Sequence, residues 1–95
     1  MIAQIEVSPA QAGRNTIRVK LSRGNGDLYP REVWLELSLP ERGTAPIRRP
    51  LVRDASGYWV HTGPEFSVRG RWTARVEVLL SDFDQVVLST TIVIQ

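Results

Sequence analysis

The stretch from Gly70 to Leu80, Gly-Arg-Trp-Thr-Ala-Arg-Val-Glu-Val-Leu-Leu, limits what this chain can fold into more than any other segment of its length. From Trp72 onward, Ala74, Val76, Val78 and Leu80 fall on one side of an extended backbone while Thr73, Arg75 and Glu77 fall on the other, because strand side chains alternate with period two. The pattern predicts a half-buried β-strand with Trp72 as the bulky anchor at its start. Gly70 supplies the backbone freedom for the turn that aims the strand into a core.

The same alternation recurs along the chain in short segments, and no helical period competes with it. Ile5 and Val7 alternate before Ser8-Pro9, and Ile17, Val19 and Leu21 alternate with Arg18, Lys20 and Ser22. The run then meets Gly24-Asn25-Gly26, where Asn-Gly is a strong turn signal. Val33, Leu35, Leu37 and Leu39 make the third strand, ending at Pro40. From Glu41 to Asp54 the chain is polar and holds Pro46 and Pro50, with Ile47, Leu51 and Val52 for burial. Proline cannot donate to a ladder, so an edge strand or a loose connection is expected there. Gly57 opens the run Tyr58-Trp59-Val60-His61-Thr62, in which either Tyr58 and Val60 or Trp59 and His61 face inward. After Ser81-Asp82-Phe83-Asp84-Gln85 a last strand runs from Val86 to Ile94, with Val87 and Val93 making its second face unusually apolar.

Short strands separated by turns about every 8 to 12 residues predict an immunoglobulin-like antiparallel β-sandwich of about seven strands, with a small closed β-barrel as the alternative. The expected inward residues are Ile17, Val19, Leu21, Val33, Leu35, Leu37, Trp72, Ala74, Val76, Val78, Leu88 and Ile92. The 95 residues fit a single domain. A chain without cysteine has no disulfide framework, thiolate zinc site or thiol nucleophile, so packing and sheet hydrogen bonds must stabilise it. Twelve basic residues against 10 acidic ones give a formal charge of +2, too near neutral to imply a nucleic-acid partner. No apolar run approaches the roughly 18 to 20 residues of a membrane helix, so the domain is not expected to insert into a bilayer. Met1 to Glu6 lack the basic start and apolar run of a signal peptide. The expectation is a soluble unit, either a complete cytoplasmic protein or a domain cut from a larger membrane protein.

Taken in order, the landmarks form a longer pattern. Pro9 ends the opening strand, Gly13 and Asn15 lead into Ile17-Arg18-Val19-Lys20-Leu21, and Gly26 precedes the Val33-Leu35-Leu37 strand. Gly57 beside an aromatic residue comes before Gly70-Arg71-Trp72, and Asp82-Phe83-Asp84 turns the chain into its final β run. This pattern resembles the YtkA-like domain, an extracytoplasmic immunoglobulin-like β-sandwich related to CopC and found at the C-terminus of CopD-type copper-resistance membrane proteins. The resemblance implies a position on the periplasmic or extracytoplasmic side of the cytoplasmic membrane, with a membrane-embedded copper-handling protein or segment as partner. It also accounts for the missing signal, which an excised C-terminal domain would not carry. The copper ligands do not carry over. CopC proteins hold Cu(II) through an N-terminal histidine and a second histidine with a nearby aspartate before the last strand. Here position 1 is methionine, and the loop Ser81 to Gln85 offers Asp84 near the family's aspartate but no histidine.

Among the candidate functional residues, His61 is the sole imidazole. Copper or zinc needs at least two or three nitrogen or sulfur ligands, so His61 reads first as an ordinary strand histidine. His61 and Asp84 are the candidates left for direct copper binding. Asp82 and Asp84 with Ser81 read as a solvated hairpin turn, too poor in acids for calcium. No Gly-x-Ser-x-Gly elbow accompanies the serines, and no helix follows Gly24-Asn25-Gly26 to bind phosphate, so no enzyme is expected. Arg42, Arg48, Arg49 and Arg53 concentrate positive charge in the middle segment, either to meet an acidic partner or anionic headgroups or to guard an exposed strand edge. Trp34 has the wrong parity for the core and is expected outside, beside Val87 and Val93, or under a neighbouring loop. Trp34, Arg48, Arg49 and Arg53 thus form the candidate interaction surface. The expected function is that of a non-enzymatic accessory domain of a copper-resistance or copper-transport membrane protein. A general interaction or structural sandwich unrelated to copper is the alternative.

Overall fold

Alternating apolar and polar residues resolve into antiparallel strands in the computed structural model, which describes residues 1–24 and 26–95. Asn25, and with it the expected Asn25-Gly26 turn, lies outside the described residues. The strands are β1 (Ile2–Ser8), β2 (Asn15–Arg23), β3 (Gly26–Asp27), β4 (Glu32–Ser38), β5 (Ile47–Arg53), β6 (Trp59–Gly63), β7 (Gly70–Leu79) and β8 (Gln85–Ile94). The two-residue β3 only pairs back antiparallel on the end of β2, so the other seven strands carry the fold. A 3-10 turn, Pro40–Arg42, follows β4.

The strand order is β1-β2-β6-β5-β4-β7-β8, antiparallel throughout. This is an all-β fold in one nearly closed antiparallel sheet, consistent with the expected sandwich and with its small-barrel alternative, and β5 belongs to both of its layers. Residues 47–51 of β5 pair with β4, whereas Val52 and Arg53 pair with β6. The middle segment is therefore an edge of each layer in turn, with a partner on one side at each paired residue, and not a loose connection. Pro50 lies opposite Trp34, where β5 has a neighbour on one side only, an edge-like position of the kind in which proline is tolerated. The true edges are β1 and β8. They face each other across an open seam, latched at one end where the Gln95 amide donates to Ala10 O (2.9 Å) and the Ala12 amide to Gln95 O (3.0 Å).

Between the layers, Val33, Leu35 and Leu37 of β4 stand opposite Val78, Val76 and Ala74 of β7, and Ile17, Val19 and Leu21 of β2 meet them from the other sheet. Trp72 is buried as expected. Its Nε1–H donates to Val68 O at 3.0 Å, and its ring meets the edge of Phe66 at 5.2 Å and 84°. Gly70 has φ +149, and a Cβ there would come within 3.0 Å of Leu39 Cδ1, so both the turn and the packing require glycine. In β6 the open choice falls to Trp59 and His61, which face inward with Trp59 buried. The inward row of β8 is shallower than its parity suggests: Leu88 and Ile92 are half-buried and only Ile94 is fully covered.

Candidate functional site

Antiparallel connections alternate between the two ends of the sandwich. One end therefore gathers the chain start, the connection from β3 to β4, the β5–β6 turn and the β7–β8 turn. Phe83 stands at the tip of the last of these and is 97% exposed; Tyr29 and Ile2 at the same end are also exposed. The Phe83 turn is well fixed. Ser81 Oγ accepts from the amides of Phe83 (3.3 Å) and Asp84 (3.2 Å), and Leu80 N–H donates to Asp84 O at 2.9 Å. Arg31 ties the neighbouring connection to it, donating its amide to Leu79 O (2.8 Å) while its guanidinium pairs with Asp82. Serine and aspartate thus act here as turn formers, as their sequence suggested. In the β5–β6 turn, Asp54 Oδ1 accepts from Ser56 Oγ (2.6 Å) and from the amides of Ser56 and Tyr58 (2.9 and 3.0 Å). The Ser56 hydroxyl, aided by these amides, holds the Asp54 carboxyl below the usual carboxylate range.

His61 and Asp84 do not come together. Asp84 closes the turn beside Phe83, whereas His61 pairs with Ile17 and leads toward the opposite end of the sheet. The two cannot hold one ion between them. His61 Nε2 lies 3.0 Å from Glu65 Oε1, and Arg49 Nε donates to Glu65 Oε2 at 3.0 Å. The Glu65 side chain is 8% exposed and bridges β5 and β6 where these strands part. Burial pushes the Glu65 carboxyl up, but the His61 and Arg49 hydrogen bonds outweigh it and hold the group below the ordinary glutamate value. A Cβ at Gly63 would run into this carboxylate. Among the described residues, no group of three or more histidine, aspartate or glutamate side chains converges to hold a metal ion.

The proposed arginine surface is divided. Arg48 lies on the outer face, its guanidinium 4.0 Å from the centre of the Trp34 ring and its Nε donating to Glu77 at 2.9 Å. Trp34 is thereby half-covered by Arg48, with Pro50 and Glu77 as its cross-strand neighbours. Glu77 separates it from Val87 in the same row, and Val93 lies three rows of the ladder further on, so no continuous apolar patch forms. Arg49, of opposite parity, turns inward to Glu65. Arg53 lies over Tyr29, 4.8 Å from its ring centre. The first sheet repeats the motif, with Arg18 3.9 Å over Tyr58 and 3.2 Å from Glu6. Planar guanidinium groups stack on rings and fork to carboxylates in ways lysine cannot, which accounts for the preference for arginine over lysine.

Phe83, Tyr29 and Glu65 were not singled out by alternation. The signal for Phe83 was its place between two aspartates of a turn, where no strand parity can send it into a core. Comparison with protein-family models, curated proteins and solved structures returns no match for this chain. No helix of the described residues is long and apolar enough to cross a membrane.

Proposed function

We propose that this domain acts by protein contact, without catalysis, as an extracytoplasmic accessory domain beside a membrane-embedded copper-handling protein. The observation that carries the contact reading is Phe83, an aromatic ring held almost wholly in solvent on a turn braced by Ser81 and the Arg31–Asp82 pair. A large apolar ring on a preorganised turn loses little conformational freedom when it docks, and such rings dominate the energetics of contact surfaces. Tyr29 and Ile2 widen that end, while Arg31 and Asp82 offer charges at its rim. The copper setting rests on the resemblance described above, with which the antiparallel all-β fold is consistent.

The test is a photo-crosslinking amino acid placed at Phe83 in the native host, paired with F83S and a measurement of copper tolerance. The expected adduct is with a polytopic membrane protein, and F83S is expected to lower copper tolerance while leaving the thermal melt unchanged. Absence of any adduct would defeat the contact reading. An adduct with a different kind of protein, with copper tolerance unaltered, would leave a general interaction module unrelated to copper.

A further inference from the structure

We propose that the domain self-associates through β8, two copies pairing these strands antiparallel about a two-fold axis at Thr90. The surface is distinct from the Phe83 end. Strand β8 is a sheet edge ten residues long, paired only with β7. From Gln85 to Gln95 it contains no Asp, Glu, Lys, Arg, Pro or Gly, and β-branched residues dominate it. Natural sheets blunt such edges with charge, proline or a bulge, and β8 has none of these devices.

The geometry identifies which backbone groups are free. Gln95 turns its N–H and C=O away from β7 toward Ala10 and Ala12, whereas Asp84 turns its C=O to Leu80 of the β7 side. Alternation along the strand therefore points the even-numbered residues at β7 and leaves the N–H and C=O of Val87, Ser89, Thr91 and Val93 on the outer edge.

The sequence of this edge reads nearly the same in both directions. Around Thr90, Ser89 corresponds to Thr91, Leu88 to Ile92, Val87 to Val93, Val86 to Ile94 and Gln85 to Gln95. An antiparallel pairing centred on Thr90 sets the residues from Val87 to Val93 against their chemical counterparts in the second copy, while Gln95 keeps its latch to Ala10 and Ala12. Val87 then meets Val93 and Ser89 meets Thr91 in hydrogen-bonded pairs that use every free edge group just named. Aliphatic and hydroxyl pairs of this kind are favourable across strands. Each chain carries a formal +2, yet the strands meet where neither has a charge, so no like charges are opposed. Inner residues stay on the inner side, so Leu88 and Ile92 of each copy cover one another beside the groove of about 540 Å³ between β1 and β8, which Ala3, Ile5 and Val7 line from the other strand. A two-fold pairing closes on itself as a dimer, where pairing of β8 onto the β1 edge of another copy would propagate.

Sedimentation of the full chain over a range of concentrations, with variants, tests this. The native chain should reach twice its 10.7 kDa mass. S89K/T91K, which opposes like charges at both central outward pairs, should weaken dimerisation roughly tenfold or more, and S89K/T91E should restore it. In this cysteine-free chain T90C should form a disulfide-linked dimer under mild oxidation, since a non-hydrogen-bonded pair brings Cα atoms to about 4.5 Å. L88C, about 13 Å from its own copy along the strand, should not. A native chain monomeric throughout, a dimer indifferent to S89K/T91K, or linking of L88C as readily as T90C would overturn the proposal. The cysteine comparison decides the matter even if the lysine variant fails to fold.

Discussion

Among the described residues Asn15 is the one buried polar side chain, 1% exposed, and replacing it with alanine should damage a specific part of the fold. Its Oδ1 accepts from the Ala10 amide at 2.7 Å, and its Nδ2 donates to Gln11 O at 2.9 Å and Gly13 O at 3.1 Å. One side chain thus satisfies three backbone groups of the β1–β2 connection. Each such bond contributes about 1 kcal/mol net, so Asn15→Ala should cost roughly 3 kcal/mol. For a domain of this size that lowers the melting temperature by roughly 12 to 24 °C. The loss should be focused. Ala10 also accepts from the Gln95 amide, so the latch between β1 and β8 loosens with the loop. Hydrogen exchange should accelerate at the amides of Ala10, Ala12 and Gln95 well before it does at those of β4 and β7. Asn15→Asp keeps the acceptor but turns an oxygen toward the carbonyls of Gln11 and Gly13, so it should be no better than alanine at neutral pH. A melt lowered by less than about 3 °C in Asn15→Ala, with Gln95 still protected, would refute this account of the loop.

Trp72→Ala should cost about 3 to 5 kcal/mol in urea melts, because the ring is buried against Phe66. Trp72→Phe should cost less, losing mainly the donor to Val68 O. Glu65 gives the pH dependence. Its folded value lies below its unfolded one, so its stabilising charge is fully present above the usual glutamate range, about pH 4.3, and is lost as pH falls through the lower folded value. Melts of the native chain should therefore weaken from about pH 4 downward. Glu65→Gln should start less stable at pH 7 and show a flatter acid limb; an acid limb as steep as that of the native chain would sink the assignment.

The core was legible because period-two alternation is a direct record of burial. Ile17 to Leu21, Val33 to Leu37 and Trp72 to Val78 sit where their parity sends them. Alternation does not record which strand lies beside which. Hence β5 read from Pro50 as an edge, which it is at each paired residue, but alternation held no sign that it passes from β4 to β6 at Val52 and so joins the two layers. Nor does it record what a charged side chain will find. Arg48 and Arg49 are adjacent in sequence yet go to opposite faces, one onto Trp34 and the other to Glu65. Phe83 was visible only as a break in parity within an acidic turn.

Leu88 and Ile92 are where parity and burial part company. Both face inward, yet both remain half-buried, because β1 opposite offers the small Ala3 and the seam is latched only near Gln95. A monomer that left its last strand both shallow and free of charge would keep an adhesive edge that most sheets guard against. The two peculiarities share one cause in the two-fold pairing at Thr90. Residues that complete the core in the dimer are under-covered in the single chain, and an edge that must accept its own copy cannot carry the charge that would repel it. Shallow inner residues and an unguarded outer ladder are then two consequences of one interface.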